Sequence, residues 1–205
     1  MSILTNWGYE LTGINTLPDL MTWEEYVTYT GRRDNRERVE KEISAACAAI
    51  RNFVGWHLGP SEACEMEAAF LDRRITKAGK DVLIQLPARY VTDISSITIN
   101  SIERDRYVLD TAGLLRVIDV KGVERYAPVV VTYTAGLSEN LLAPIKELIA
   151  NRVTHAIAVP PGITSEASGG VSVTYNANWI NNSRATALAG DNKELLVPYK
   201  VQGVF

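Results

Sequence analysis

The chain has 205 residues, of which 46% are hydrophobic and 22% are charged. This composition is that of a globular protein with one substantial core or two small ones, and it excludes an intrinsically disordered chain. The formal net charge is -3, whereas a nucleic-acid-binding protein usually carries a basic surplus, so sequence-specific DNA binding is not expected.

Targeting and redox signals point to a reducing compartment. The first ten residues lack the basic and continuous apolar regions of a secretory signal. Apolar stretches fall short of the ~20 residues that a membrane-spanning helix needs, so no membrane association is expected. The two cysteines, Cys47 and Cys64, form no CxxC pair. We therefore expect free, buried thiols rather than a disulfide.

The first thirty residues divide into an arm and a short helix. Residues 1–20 show neither helical nor strand periodicity, yet they contain several large apolar side chains. We expect an N-terminal arm that lies against the subunit's own core or against a neighbour. A helix then begins after Thr22, which is a good N-cap, and Glu25 stands where a capping box requires a glutamate. Gly31 is a plausible end for this helix.

Apolar periodicity predicts two longer helices. The first starts at Asp34 as its cap and carries an apolar stripe with spacings of three and four residues. The stripe comprises Val39, Ile43, Ala46, Ile50 and Phe53. The second helix covers about 141–159 and tolerates Pro144 in its first turn.

Between these helices, residues of about 62–136 alternate between polar and apolar side chains, as short strands do. The predicted strands are 65–71, 82–86, 94–100, 106–110, 114–119 and 129–134. Turn residues such as Ala78-Gly79-Lys80 separate most of them. Residues 107–110 and 113–117 are typical of a hairpin. The sequence therefore predicts an antiparallel, meander-like β unit.

The C-terminal segment is apolar without being a membrane span. A short helix near Asp191 presents Leu195 and Leu196 and ends before Pro198. The last seven residues contain four large apolar side chains but only one charged residue, Lys200. Exposed apolar patches usually mark interfaces, so we expect this segment to dock on another protein; the alternative is that it packs on the helical bundle of its own subunit.

Motifs for catalysis or metal binding are missing from the sequence. Neither histidine, His57 or His155, has a second histidine or cysteine at metal-ligand spacing. The sequence contains no GxSxG, no GxGxxG and no phosphate-binding loop. Carboxylate pairs such as Glu65 and Glu67 are more simply solvated faces. We therefore expect no catalytic residue, no cofactor, no metal and no enzyme activity.

The order of several segments resembles the head–tail connector (adaptor) family of tailed bacteriophages. The segments are Ala48-Ala49-Ile50-Arg51-Asn52-Phe53-Val54-Gly55, Leu86-Pro87 before Val91-Thr92-Asp93-Ile94, Val130-Val131-Thr132-Tyr133-Thr134-Ala135-Gly136-Leu137, Ala143-Pro144-Ile145-Lys146-Glu147-Leu148, and the Gly169-Gly170 turn within 163–175. The resemblance covers roughly residues 20–200. It implies a virion structural protein, assembled as a twelve-subunit ring beneath the portal, that extends the DNA channel toward a stopper or tail protein.

The expected fold class is α+β: a small helical bundle with an inserted antiparallel β-rich element and extended N- and C-terminal arms. The expected domains are an N-terminal arm at 1–20, a helical bundle with its β-rich insert (about 62–136) at 21–160, and a C-terminal docking segment at 161–205.

The expected function is that of a connector in the virion neck, assembled in the host cytoplasm, through which viral DNA passes without specific binding. The resemblance places portal binding on about residues 191–205, with these side chains as candidates: Leu195, Leu196, Tyr199, Val201, Val204 and Phe205. Two alternatives stay open. The chain could be another neck or tail-completion (stopper) protein, or a hydrolase whose site converges from distant loops.

Overall fold

The computed structural model describes residues 2–69, 72–110, 112–122, 127–158, 165–168, 171–174 and 191–201. The chain divides into two compact units. Unit 1 combines Met1–Pro18, Val54–Ser138 and Tyr199–Phe205, and unit 2 combines Asp19–Phe53 and Glu139–Pro198.

Unit 1 consists mainly of antiparallel strands. In chain order these are β1 (Ser2–Leu4), β2 (Glu10–Thr12), β3 (Glu62–Ala69), β4 (Ile75–Ala78), β5 (Asp81–Gln85), β6 (Val91–Ile99), β7 (Ile102–Glu103), β8 (Tyr107–Leu109), β9 (Leu114–Val117) and β10 (Pro128–Ala135). Six of them form a sheet in the order β1-β2-β3-β10-β6-β7, and the other four form a sheet in the order β4-β5-β9-β8.

Strands β3 and β10 form the centre of the larger sheet. They pair over their whole length, from Glu62 opposite Ala135 to Ala69 opposite Pro128. Burial alternates along both strands, because successive side chains of a strand point to opposite faces of the sheet. The buried positions include Cys64, Met66 and Tyr133, so one face of this sheet belongs to the core of unit 1.

The smaller sheet contains the predicted hairpin, which the structure confirms as β8 and β9. The carboxylate of Asp110 accepts hydrogen bonds from the backbone N–H groups of Ala112 (2.8 Å) and Leu114 (2.9 Å) and thereby holds the turn. Gly113 has a φ of +81°, and a Cβ atom there would collide with the carbonyl oxygen of Ala88. The turn therefore requires glycine at this position.

The longer helices lie mainly in unit 2. They are α1 (Trp23–Thr30), α2 (Arg36–Val54) and α3 (Glu139–Ala158), followed by the short α4 (Asp191–Leu196) and a 3₁₀ turn (Val197–Tyr199). A two-stranded hairpin, β11 (Ser165–Ser168) with β12 (Val171–Thr174), lies between α3 and α4 in the chain.

Helix α1 has the predicted boundaries. The Thr22 hydroxyl accepts a hydrogen bond from the Glu25 N–H, and the Glu25 carboxylate accepts one from the Thr22 N–H, which completes a capping box. Gly31 ends the helix in the left-handed conformation, with φ of 69°.

Helix α2 differs from the prediction at its start. The cap is Asn35, whose side-chain oxygen accepts a hydrogen bond from the Arg38 N–H at 3.0 Å. Asp34 cannot serve as the cap because its carboxylate accepts hydrogen bonds from Arg32 and from the Tyr26 hydroxyl. The predicted apolar stripe is buried at Val39, Ile43, Ala46 and Ile50, whereas Phe53 is only partly buried.

Helix α3 begins at Glu139, slightly earlier than predicted, so Pro144 lies beyond its first turn. The predicted end of this helix near 159 lies outside the described residues. Lys146 is 6% exposed, and its ammonium group donates hydrogen bonds to Glu25 and Glu139, both at 2.6 Å. Although burial lowers the pKa of Lys146, the two carboxylates outweigh this effect and hold the pKa above its ordinary value.

The predicted fold class, α+β with a small helical bundle, an inserted β-rich element and extended arms, is wrong. The described chain consists mostly of antiparallel strands in the two sheets of unit 1, so the β structure is not an insert in a bundle. Residues predicted to form an extended N-terminal arm supply β1 and β2, because Glu10 and Leu11 pair with β3. The predicted domains at 1–20, 21–160 and 161–205 were defined by the roles assigned to them, and this division of the chain stays a prediction.

Replacing Glu25 with Gln tests the pairing of Glu25 with Lys146. Burial raises the pKa of Glu25, but hydrogen bonds from Lys146 and from the Thr22 backbone hold that pKa below its ordinary value. Glutamine keeps an acceptor for the capping box and loses the charge. We expect the free energy of unfolding at pH 7 to fall by about 1 kcal/mol, because Glu25 is partly exposed and solvent screens the pair.

The stability that Glu25→Gln loses should depend on pH. A carboxyl group whose pKa is lowered by folding stabilises the protein above the unfolded-state pKa, and this contribution disappears as pH falls through the folded-state pKa. Urea unfolding at several pH values measures the difference. The control is Glu24→Gln, since Glu24 is 62% exposed and only 3.4 Å from Arg36. Equal losses in the two variants would contradict the role assigned to Lys146.

Candidate functional site

The structure separates the predicted portal-binding side chains. Leu195 is 57% exposed, whereas the adjacent Leu196 is buried at 1%. Tyr199 is partly buried and Val201 is 4% exposed. Leu195 and Leu196 belong to unit 2, and Tyr199 and Val201 belong to unit 1. The other two candidates, Val204 and Phe205, lie outside the described residues.

The backbone of residues 199–201 is held by unit 1. The buried indole of Trp56 donates its Nε1–H to the Tyr199 carbonyl at 2.7 Å. The Val201 N–H donates to the Val54 carbonyl at 2.9 Å, and Arg89 donates to the Lys200 carbonyl at 3.2 Å. This part of the C-terminal segment therefore packs on its own subunit.

Aromatic rings reinforce this attachment. Tyr90 lies between Trp56 and Tyr199, with ring centroids 6.3 Å from the first and 6.2 Å from the second. The Tyr90 and Trp56 rings are nearly parallel, with an interplanar angle of 15°. No sequence motif indicates this cluster, because its three members lie far apart in the chain. Tyr199 and Val201 thus pack within unit 1. Among the described residues of the C-terminal segment, the exposed large apolar side chains are Leu195 and Val197, both 57% exposed.

His57 is a buried structural residue. Its Nε2 lies 2.9 Å from the Ala135 carbonyl oxygen, which can only accept, so Nε2 carries the hydrogen. Nδ1 then accepts a hydrogen bond from the Tyr9 hydroxyl at 2.7 Å, and the same hydroxyl accepts one from the His57 backbone N–H at 3.1 Å. Both ring nitrogens are thus occupied within unit 1. This arrangement positions the turn before β2 rather than a substrate.

The outward face of the six-stranded sheet is acidic. None of its six strands contains a lysine, arginine or histidine. We call the exposed side of this sheet the acidic face; its carboxylates are Glu10, Glu65, Glu67, Asp93 and Glu103. Hydroxyl groups occupy several of the positions between them, as where the Ser96 and Thr132 oxygens lie 3.2 Å apart.

Two carboxylates of the acidic face stand directly opposite each other. Glu10 of β2 pairs with Glu65 of β3. Like charges in this position usually destabilise a sheet, and neighbouring strands of the sheet supply no cation to offset the repulsion. The sequence alone predicts Glu65 and Glu67 to be a solvated pair. Glu10 lies beside them only because β2 pairs with β3.

Unit 2 contains a cavity of about 360 Å³ whose lining includes Trp23, Arg36, Glu24 and Glu40. Its charged groups satisfy one another. Arg36 lies over the Trp23 ring at 5.2 Å and pairs with Glu24 at 3.4 Å and Glu40 at 2.7 Å. We therefore assign no ligand to this cavity.

The two cysteines are free and buried, as predicted. Burial raises the pKa of the Cys47 thiol to about 11 and that of the Cys64 thiol to about 12. Both thiols are therefore protonated near neutral pH and poor nucleophiles. Within the described part of the chain, His, Cys, Asp and Glu side chains form no group of three or more that could hold a metal ion.

The chain matches no protein-family model and no curated protein. Across the residues that the structure describes, no helix combines the length and the apolar character needed to cross a membrane.

The attachment of residue 201 predicts different effects for two valine substitutions in one segment. Val201→Ala removes buried methyl groups and should lower the free energy of unfolding by about 2 kcal/mol. Val197→Ala, at a 57% exposed position, should change it by less than about 0.5 kcal/mol. Chemical denaturation of both variants measures the difference. Equal stability of the two variants would show that Val201 does not pack on unit 1.

Proposed function

We propose that the protein is a structural subunit of the virion neck, a head–tail connector that surrounds the passage for viral DNA. The proposal starts from the succession of sequence segments along the chain, which resembles that of the connector family. The observation that carries it further is the acidic face, on which five carboxylates occur in six strands without a lysine, arginine or histidine.

The acidic face suits a surface that DNA passes without binding. Proteins that hold DNA neutralise its phosphates with Lys and Arg, and this term supplies most non-specific affinity. Carboxylates repel the same phosphates within about 8–10 Å at physiological ionic strength. We assign the DNA side to Glu10, Glu65 and Glu67, where the carboxylates are most concentrated. The repulsion between Glu10 and Glu65 then lowers the stability of the sheet, and the passage of DNA without binding requires this arrangement.

The portal contact is proposed for the exposed part of the C-terminal segment. Leu195 and Val197 are exposed in this segment, whereas Leu196 and Val201 are buried in the subunit itself. Val204 and Phe205 stay predicted members of the contact. A partner surface that covers Leu195 and Val197 would gain about 1.5–3 kcal/mol for each fully buried side chain.

Reversing the charge of the acidic face tests the proposal. We expect virions that carry the double variant Glu65→Lys, Glu67→Lys to assemble normally but to release DNA more slowly than wild type. The introduced ammonium groups would bind passing phosphates, so the defect should decrease as salt is raised. Release is measured as the loss of packaged DNA from purified particles after ejection is triggered.

The matched control is the double variant Glu37→Lys, Glu147→Lys. It changes the charge by the same amount at two exposed helix positions outside the acidic face. Release at the wild-type rate in the Glu65, Glu67 variant would refute the assignment of this face to DNA. Absence of the wild-type protein from purified virions would refute the connector proposal as a whole.

A further inference from the structure

The N-terminal hairpin, formed by β1 and β2, joins the six-stranded sheet through a short ladder. Strand β1 is the outermost strand, next to β2. Strand β2 pairs with β3 at two positions, where Glu10 lies opposite Glu65 and Leu11 lies opposite Cys64. The first of these positions brings two like charges together, which weakens the ladder. Side-chain contacts must therefore supply much of the attachment of this hairpin.

Two side-chain contacts hold the turn between β1 and β2. On one side, Arg74 donates a hydrogen bond to the Gly8 carbonyl at 3.2 Å, and the Asp72 carboxylate accepts two hydrogen bonds from Arg74. On the other side, Tyr9 bonds to His57 in the interior of unit 1. Tyr9 lies directly before β2, so this second contact determines where β2 begins.

The contact between Tyr9 and His57 requires a neutral imidazole. Nε2 carries the ring hydrogen because it faces the Ala135 carbonyl oxygen, and Nδ1 accepts the Tyr9 O–H. A second proton on the ring would bind to Nδ1, and the Tyr9 hydroxyl would lose the acceptor that it now has. Tyr9 is 1% exposed and His57 is fully buried, so little water can replace this bond or solvate the imidazolium.

The neighbouring phenol and thiol stay uncharged near neutral pH. The Tyr133 ring lies 6.4 Å from that of Tyr9, and burial raises the pKa of Tyr133 well above its ordinary value. Burial also raises the pKa of Cys64, on strand β3, to about 12. Neither group therefore supplies a negative charge that would stabilise an imidazolium at His57.

The charged groups on the surrounding elements do not provide the same sensitivity to mild acid. The carboxylate of Glu62, at the start of β3, favours a proton on His57, whereas the guanidinium of Arg74 disfavours it. Hydrogen bonds from Arg74 hold the pKa of Asp72 below its ordinary value, so the contact with Gly8 persists in mild acid. His57 is thus the group of this attachment whose ordinary ionisation lies nearest neutral pH.

We infer that His57 makes the attachment of the N-terminal hairpin sensitive to acid: the neutral ring holds Tyr9, and proton uptake below about pH 6.5 favours release of β1 and β2 from β3. In the open state Nδ1 is free of Tyr9 and takes up a proton as an ordinary histidine does. Protonation of Glu10 and Glu65 acts in the opposite sense, because it removes their repulsion and strengthens the ladder. The inference goes beyond the connector proposal and does not rest on it, since every group involved belongs to one chain.

Hydrogen–deuterium exchange of the full chain measures this opening. Mass spectrometry of the N-terminal peptide gives exchange rates at pH 7.5, 6.5 and 5.5, and conversion to protection factors removes the intrinsic effect of pH on exchange. We expect the protection of residues 2–12 to fall between about fivefold and tenfold from pH 7.5 to 5.5, because uptake of one proton over this range gives at most about tenfold. The protection of β10 should change by less than about twofold.

His57→Gln and His155→Gln form a matched pair, because the chain has two histidines. Glutamine at position 57 keeps a donor and an acceptor but takes up no proton, so the acid response of the hairpin should disappear. Burial lowers the pKa of His155, so this residue stabilises the protein above its unfolded-state pKa and loses that contribution in acid. His155 belongs to unit 2, and His155→Gln should leave the acid response of the hairpin unchanged.

Two further measurements apply if His57→Gln does not fold. Tyr9→Phe removes the hydroxyl group and should lower the protection of residues 2–12 at pH 7.5 by at least about fivefold. Ring ¹⁵N chemical shifts of the wild type should show a neutral His57, with its hydrogen on Nε2, whenever the hairpin is closed. Equal protection of the hairpin at pH 7.5 and 5.5, or a protonated His57 in a hairpin that stays protected, would overturn the inference. An acid response that persists in His57→Gln or disappears in His155→Gln would also contradict it.

Discussion

The antiparallel pairing of β3 with β10 is the constraint on which unit 1 depends. It joins residues that lie between 59 and 73 positions apart in the chain, over eight residue pairs. β2 and then β1 add to the outer edge of β3, and β6 and then β7 add to that of β10. The loop-closure entropy of such a distant pairing must be offset by burial, which the alternating Cys64, Met66, Val131 and Tyr133 provide.

A buried polar contact ties the N-terminal hairpin to this centre. Tyr9, immediately before β2, bonds to His57, and His57 bonds to the carbonyl of Ala135 at the end of β10. Each of these groups would be costly if buried without a partner, so the three fix one another's positions. The hairpin that carries Glu10 to the acidic face is therefore held by residues that lie far apart in the chain.

Local features were predictable from the sequence because their signals lie within a few residues of one another. The capping box of α1, the apolar stripe of α2 and the hairpin of β8 and β9 are of this kind. The fold class was not, because it depends on which strands pair. Alternation over 62–136 revealed strands, but nothing in the sequence showed that Glu10-Leu11-Thr12 would join them. A three-residue strand is too short for its periodicity to be recognised.

The candidate site was predictable only in part, for the same reason. The apolar character of the C-terminal segment marked it as a docking element, yet the hydrogen bond from Trp56 attaches Tyr199 to its own subunit. The acidic face requires strand order, since Glu10 and Glu65 are neighbours only through pairing. We propose that DNA passes beside the carboxylates of the acidic face and that the portal contacts the exposed Leu195 and Val197 of the C-terminal segment.

Electron microscopy of purified virions, with the protein labelled at an exposed position such as Lys77, tests the central claim most directly. The account predicts a closed ring of labels between the portal and the tail, centred on the DNA passage. Labels absent from the neck, or confined to the capsid shell or the distal tail, would contradict it.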